Sequence, residues 1–423
     1  TSVTVRWCTL ILFLCTMVTI SAFSQGVTTA ALNGKVTSKN GEALQGANVV
    51  ALHVPSGTRY GASTRQDGHF NVPNMRVGGP YTVTASIIGY QKQMREQIFL
   101  QLTQNLDVNF SLAEEGIEAG EVVVTAERGA VLSPDRTGAA TSVNRAAIEA
   151  LPTISRTIGD YTRLTPQASG NSFAGQDNRL NNVTVDGSYF NNSFGLAGAP
   201  GERTGVSPIS LDAIEQLQVN IAPYDVRQGN FVGASVNTVT RSGSNEFSGS
   251  AYYLFRHQGL VGTKAKDLTR DPGTFDFREV GVRLGGPIIQ DRLFFFGSFE
   301  DDALTQPGTI FRSNKGGEAV GGNITRVLAS DLDQLSKFLR DTLKYDPGTY
   351  EGFDFKTPAR KFIAKLDFNL DDRNKLSLRY NHLDSETDVL VSNSSSLGAG
   401  GRRSNTNGLN FANSNYGILE NIR

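Results

Sequence analysis

Between residues 361 and 382 the chain reads KFIAKLDFNLDDRNKLSLRYNH, and apolar and polar side chains alternate there almost without error. Ala364, Leu366, Phe368 and Leu370 fall on one side, and Lys365, Asp367 and Asn369 on the other. After the polar run Asp371, Asp372, Arg373, Asn374 the pattern resumes, with Leu376, Leu378 and Tyr380 opposite Ser377, Arg379 and Asn381. A period of two is the period of an extended strand, and two such runs joined by a short polar break predict an antiparallel hairpin. The pattern leaves one question open. A half-buried soluble sheet and the wall of a membrane barrel share this period, so the apolar face could meet a protein core or lipid.

The bulk numbers narrow the classes. A chain of 423 residues has room for several domains, and 45 glycines with 19% charged residues point to turn-rich β structure rather than helix bundles. The formal net charge of -1 and the absence of a dense Lys/Arg run argue against a nucleic-acid partner. A mean hydropathy of -0.25 excludes a helical membrane protein as a class. One segment is strongly apolar. Arg6 precedes an apolar core at residues 9–20, followed by Ala22 and Ser24 at the positions a signal peptidase reads. Residues 1–24 are therefore expected to be a signal peptide, cleaved near Ser24 and Gln25. Cys8 and Cys15 lie inside or beside it, so the exported chain has no cysteine and depends on burial or a membrane rather than on disulfides. The first residue is Thr1, from which an incomplete sequence is expected. The four histidines, at 53, 69, 257 and 382, have no zinc-ligand spacing, and there is no G-x-S-x-G, no Walker-type loop and no cysteine nucleophile after residue 24. The expectation is a chain that is not an enzyme and that carries no metal or cofactor.

Short strands separated by Asn-Gly and Asp-Gly turns mark residues 30–113 as a small β-sandwich. The segments GKVTSKNGEALQGANVVA and TRQDGHFNVPNMRVGGPYTVTASIIGY resemble the carboxypeptidase regulatory-like domain, a transthyretin-like fold. In it Asp67 and Gly68 would make a hairpin turn and Phe70 would pack inward. Residues 114–127, EEGIEAGEVVVTAE, form an acidic linker interrupted by Val122, Val123, Val124 and Thr125. Taken alone, this β-branched run reads as an edge strand of the sandwich. From 128 to 245 short helical pieces broken by Pro152 and Pro166 give way to Gly/Asn-rich sequence. There NNVTVDG, LDAIEQLQV and GASVNTVTRSG resemble, in order, three segments of the plug domain of TonB-dependent outer-membrane receptors. IAPYDVRQGNFVG and LGGPIIQDRLFFFGSFE resemble the Oar-like branch of that family.

The resemblance implies a mainly β chain: a transthyretin-like sandwich, an α+β plug domain, and the first strands of an antiparallel transmembrane β-barrel at 246–423. It implies a bacterial outer-membrane location, and partners that are outer-membrane lipid, an extracellular ligand of unknown identity and a TonB-type periplasmic energy-coupling protein. The segment Glu121, Val122, Val123, Val124, Thr125 and Ala126 would be the TonB box, which pairs edge-on with a strand of that protein. Asp186 and Gly187 would be the structural turn of the plug. Barrel strands are expected at 249–257, 275–286, 292–300, 360–370 and 375–385, with a sixth in SNYGILENIR. About 10 residues at roughly 3.3 Å each, tilted near 40°, rise roughly 25 Å, the height of a lipid-facing band. The connections alternate long (258–274), short (PIIQD), long (301–359), short (DDRN), as outer loops and periplasmic turns do. On this reading Leu366, Leu378 and their same-face neighbours meet lipid, and Lys365, Asp367, Asn369 and Arg379 face the lumen. Plugged barrels use about 22 strands, so five or six imply a fragment. Energised transport is the implied activity, and an Oar-like adhesion or envelope role with the barrel as anchor is the alternative. NNSFGLAGAPGERTG, at 191–205, reads as a plug apex or as a plain flexible loop.

Overall fold

A computed structural model describes residues 27–115, 122–125, 140–390 and 408–422, except 154, 193–197, 222–227, 230, 267, 270–272 and 372–373. The expected signal peptide, Glu121 and Ala126 lie outside the described residues.

The sandwich is built from β1 (Thr29–Ser38), β2 (Asn48–His53), β3 (Thr58–Ser63), β4 (His69–Arg76), β5 (Gly78–Ser86), β6 (Gln93–Leu100), β7 (Asn105–Asp107) and β8 (Phe110–Leu112). One sheet runs β4-β1-β7, with β8 also on β1, and the other runs β3-β2-β5-β6. Alternate residues of each strand point between the sheets, and Leu32, Val36, Val49, Ala51, Tyr81, Val83 and Phe110 are sealed there. Full burial of each large apolar side chain contributes about 1.5–3 kcal/mol, which lets a domain without disulfides hold together. The Asp67–Gly68 turn forms as expected. Gly68 has φ +77°, and a Cβ on it would stand 2.7 Å from the Val36 carbonyl oxygen, so glycine is required. Phe70 packs inward against Phe110.

The acidic linker departs from a free segment. Its β-branched run forms β9 (Val122–Thr125), the last strand of the second sheet, whose full order is β3-β2-β5-β6-β9. β9 pairs parallel with β6, Val122 opposite Gln93 and Thr125 opposite Glu96.

The middle region is a five-stranded sheet, order β10-β15-β16-β13-β14, from β10 (Ala140–Asn144), β13 (Asn182–Val185), β14 (Ser188–Tyr189), β15 (Ile214–Asn220) and β16 (Ser235–Thr240). A small hairpin, β11 (Ala168–Ser169) with β12 (Ser172–Phe173), precedes β13. Two short helices pack on the sheet, α1 (Arg145–Ala150) and α2 (Gly159–Thr162); the Asn144 side chain caps α1 by accepting from the Ala147 N–H. β16 is buried on both faces because its surroundings cover both sides. The core of this unit, including Val185, Leu217 and Val219, continues into Phe296 and Ile363 of the next.

Six antiparallel strands follow in sequence order: β17 (Ser248–His257), β20 (Asp276–Ile289), β21 (Leu293–Pro307), β24 (Asp354–Asn369), β25 (Lys375–Leu390) and β26 (Asn415–Ile422). The sheet is open, with β17 and β26 as its edges. Four of the strands are longer than expected by two residues or more. β20 has 14 residues, β21 15, and β24 and β25 16 each, because pairing continues beyond the apolar band through polar partners such as Asp301 with Arg360 and Thr305 with Lys356. The second long connection is therefore 308–353 rather than 301–359, and it is structured: β22 (Arg312–Asn314), β23 (Ile324–Leu328) and the helix α3 (Ala329–Leu343). The first long connection holds a minimal hairpin, β18 (Lys264–Ala265) with β19 (Leu268–Thr269). Among the described residues no helix is long and apolar enough to cross a membrane.

The opening hairpin is β24 and β25, with Leu366 opposite Leu378. Leu366 is 41% exposed and Leu378 66% exposed, whereas Lys361 and Lys365, one residue out of step, are 3% and 8% exposed. Among the described residues nothing seals the apolar face, and the charged face is the buried one. That is the arrangement of a barrel wall facing lipid.

Candidate functional site at the plug and wall interface

The turn between β13 and β14 places Asp186 at φ +44° and Gly187 at φ +79°, left-handed conformations that a tight hairpin needs and that Asp and Gly tolerate. The turn aims the Asp186 carboxylate at the wall. It accepts from the Thr240 N–H at 2.7 Å and from the Thr240 hydroxyl, and it lies 3.0 Å from Arg379 Nη1 and 3.4 Å from Lys365 Nζ. Arg379 also donates to the Val185 carbonyl. Burial pushes the Asp186 carboxyl up, but the Lys365 and Arg379 cations together with the Thr240 hydrogen bonds outweigh it and hold the group below the usual carboxylate range. Asp186 therefore does more than shape a turn: it fastens the plug to the wall.

Two further contacts repeat the scheme. Ser210 ends the segment before β15, and Asp212 two residues on accepts from Ser250 and sits 2.8 Å from Arg283 Nε and 3.7 Å from Arg241 Nη2. Arg241 also reaches Glu149 on α1 at 2.9 Å. Farther along the wall, Arg156 adopts φ +50° and directs its guanidinium to Glu279 at 2.6 Å, over the Tyr252 ring. A non-glycine residue held there marks local strain that the contact maintains. Ser210 donates to Glu300 at 2.6 Å, and Lys361 bridges Glu300 and Asp302 at 2.5 and 2.6 Å. Glu279, Glu300 and Lys361 are all sealed from solvent.

The sandwich joins the same junction. Its Leu102 N–H donates to Gln216 Oε1 at 3.1 Å, and Gln218 Nε2 donates to the Leu102 carbonyl at 2.9 Å, so the 101–104 turn is hydrogen-bonded to β15. On the wall side, Arg76 meets Asp367 at 3.4 Å, Asn369 Nδ2 donates to Thr58 Oγ1 at 3.0 Å, and Asn245 N donates to the Pro55 carbonyl at 2.8 Å. Between sandwich, plug and wall lies a polar space of about 770 Å³ lined by Arg76, Asp186, Arg241, Lys365, Asp367 and Arg379. A second, smaller space of about 180 Å³ lies by Asn171, Phe173, Asn178 and Glu202. There Glu202 gathers Asn171, Asn178 and the Gly198 and Ala199 N–H groups. Part of the apex segment, 193–197, lies outside the described residues. Among the described residues no three His, Cys, Asp or Glu side chains are grouped to hold a metal ion.

Residues 31–113 match the model of the carboxypeptidase regulatory-like domain, and residues 239–315 match that of an outer membrane beta barrel domain. Over 257 residues the chain is 26% identical to the TonB-dependent transporter Oar of Myxococcus xanthus, an alignment covering 56% of this chain and 23% of that protein. The chain is thus similar to TonB-dependent receptors of the Oar type, and the barrel-domain match supports a place in the bacterial outer membrane. It spans about a quarter of the length of that curated relative. Among solved structures, the outer membrane transporter YddB of Escherichia coli aligns with a TM-score of 0.41 at 13% identity, over 60% of this chain and 34% of that one. A mutant of the ferric enterobactin receptor PfeA of Pseudomonas aeruginosa aligns at 0.40 and 15%, over 59% and 33%.

Within this chain the lumenal set expected from alternation is brought together: Lys365 and Arg379 meet Asp186, while Asp367 meets the sandwich. Val122–Thr125 lies apart from these contacts, on the sandwich edge. Arg156, Asp212, Glu300 and Lys361 were missed by sequence reasoning. A usable signal existed for two of them, since Glu300 and Lys361 share the inward parity of their strands.

Proposed function

We propose that this receptor moves a ligand across the outer membrane with energy delivered to its plug by a TonB-type periplasmic protein. The observation that carries this is the chemistry of the plug and wall interface. It is made largely of ion pairs and charge-assisted hydrogen bonds, at Asp186, Asp212, Arg156 and Glu300. Buried ion pairs largely cancel their own desolvation cost, so such an interface specifies one docked position without much net stability. A plug held this way can be moved by a pull that breaks these pairs and one limited apolar contact, at Phe296 and Ile363. Similarity to the Oar transporter supports the same reading. The segment Glu121–Ala126 would take the pull, and the ligand would enter from the face bearing the 308–353 insertion.

The test uses the backbone of the segment. Proline at Val123 removes an N–H donor and fixes φ, whereas Val123→Thr keeps both the donor and the β-branched shape. Val123→Pro is expected to abolish binding of the purified C-terminal domain of the host's TonB-type protein to the receptor in detergent, and Val123→Thr to keep it. Equal binding by both variants would remove the coupling assignment. An anchor for adhesion would then be the better reading.

A further inference from the structure

The polar space between sandwich, plug and wall is cationic. Seven Arg and Lys side chains line it against three carboxylates, Asp186, Glu215 and Asp367. Glu149 and Asp212, which pair with some of those cations, bring the acids to five, so the cations stay in excess. The excess is plainest where three guanidiniums share two carboxylates. Arg145 and Arg241 approach the same oxygen of Glu149, at 3.0 and 2.9 Å, and Arg241 and Arg283 share Asp212 at 3.7 and 2.8 Å. The three arginines come from separate elements: Arg145 opens α1, Arg241 follows β16, and Arg283 lies on β20 of the wall. Arg241 is the most enclosed of them, at 4% exposed. Its Nε donates to the Ile214 carbonyl at 3.3 Å and its Nη2 to Glu149, but its Nη1 has no hydrogen-bond partner among the described residues. A buried guanidinium nitrogen without an acceptor costs free energy, and the space beside it can admit one. Burial and, after it, the Arg145 and Arg283 cations lower the Arg241 pKa, so a further negative group there is favoured.

We propose that this junction binds an oxyanion of phosphate type, free or as the head of a phosphomonoester, between Arg145, Arg241 and Arg283. A guanidinium offers N–H donors in a planar fork that matches two oxygens of a phosphate. A phosphate group carries close to two negative charges at neutral pH, which a single carboxylate does not supply. The space, about 770 Å³, falls within the roughly 300–1,000 Å³ of small-molecule sites, so an organic substituent on the phosphate has room. Arg145 and Arg241 belong to the plug and Arg283 to the wall, so the bound anion ties one to the other.

Calorimetric titration of the full-length protein in detergent tests this, with inorganic phosphate, glycerol 3-phosphate and glycerol as probes and sodium chloride holding the ionic strength constant. Phosphate and glycerol 3-phosphate are expected to saturate one site, and glycerol to give no heat of binding. Arg145→Gln, at a half-exposed position, is expected to weaken phosphate binding roughly tenfold or more, the worth of one charge-assisted hydrogen bond. Glu149→Gln, one helical turn away and also half-exposed, removes a competing carboxylate and is expected to tighten binding. Opposite changes from two neighbouring residues are not what a damaged fold gives. Dihexanoyl phosphatidic acid compared with glycerol 3-phosphate separates the sources: tighter binding of the lipid assigns the site to a membrane head group, and equal binding to a soluble phosphomonoester. Phosphate that binds no better than chloride would overturn the proposal. So would phosphate binding that neither substitution alters, because the anion would then sit elsewhere.

Discussion

β1 of the sandwich and β24 of the wall carry the same alternation and put it to opposite use. In β1 the sealed positions carry no charge, Ala30, Leu32, Gly34, Val36 and the terminal Ser38, and the intervening residues are half-buried. In β24 the sealed positions include Lys361 and Lys365, while Phe362 and Leu366 are open. The parity of a strand states which residues share a face; it does not state which face is wet. In the sandwich, burial of apolar area supplies the stability. In the wall, lipid replaces the core and charged groups move inward to meet the plug.

The comparison breaks most sharply if one substitution is made in both places. Leu32→Arg puts an unpaired cation between the sheets and is expected to unfold the sandwich, a loss of about 5 kcal/mol or more. A folded Leu32→Arg sandwich by circular dichroism would contradict the core assignment. Lys361→Ala leaves Glu300 and Asp302 buried without their cation, and should cost about 3–5 kcal/mol. Replacing all three by well-packed neutral residues should recover much of that loss in urea unfolding of the barrel. Leu378→Arg, on the outward face, should cost about 2–4 kcal/mol near the bilayer midplane in the full-length barrel, and Asp367→Asn much less. The reverse ranking in lipid refolding would exchange the two faces.

The elements and the parity of the wall were legible because both are local. Lys365, Asp367 and Arg379 could be placed on the inward face from their neighbours alone, and the Asp67–Gly68 turn from two residues. Their contacts were not legible. Asp186 and Lys365 are 179 positions apart, and Arg156 and Glu279 are 123 apart, so nothing local states which charges meet. The parallel partner of Val122–Thr125 is equally hidden, since β6 lies upstream beyond β7 and β8. The strand lengths were underestimated for a related reason: the periodic apolar signal stops at the edge of the lipid band, while backbone pairing continues through polar residues such as Asp301 and Arg360.

The smallest expected effect sharpens the sandwich side of the comparison, where a titratable group sits among sealed residues. The His53 ring is buried, with Nδ1 2.7 Å from Ser56 Oγ and its face 4.9 Å from that of Tyr81. Burial, and secondarily the Arg76 cation, disfavour the imidazolium and lower its pKa from 6.5 to about 3. The folded state thus takes up a proton later than the unfolded chain does. The domain should keep its full stability above about pH 6.5 and lose it as the pH falls toward 3, at about 1.4 kcal/mol per pH unit, or roughly 2 kcal/mol at pH 5. His53→Gln removes the titrating group and should flatten that slope, whatever it does to stability at neutral pH. The measurement is urea unfolding of the sandwich, residues 27–127, at pH 7.5 and 5.0 for both forms. Equal slopes would mean that His53 is protonated in the folded domain, and that this part of the core admits water.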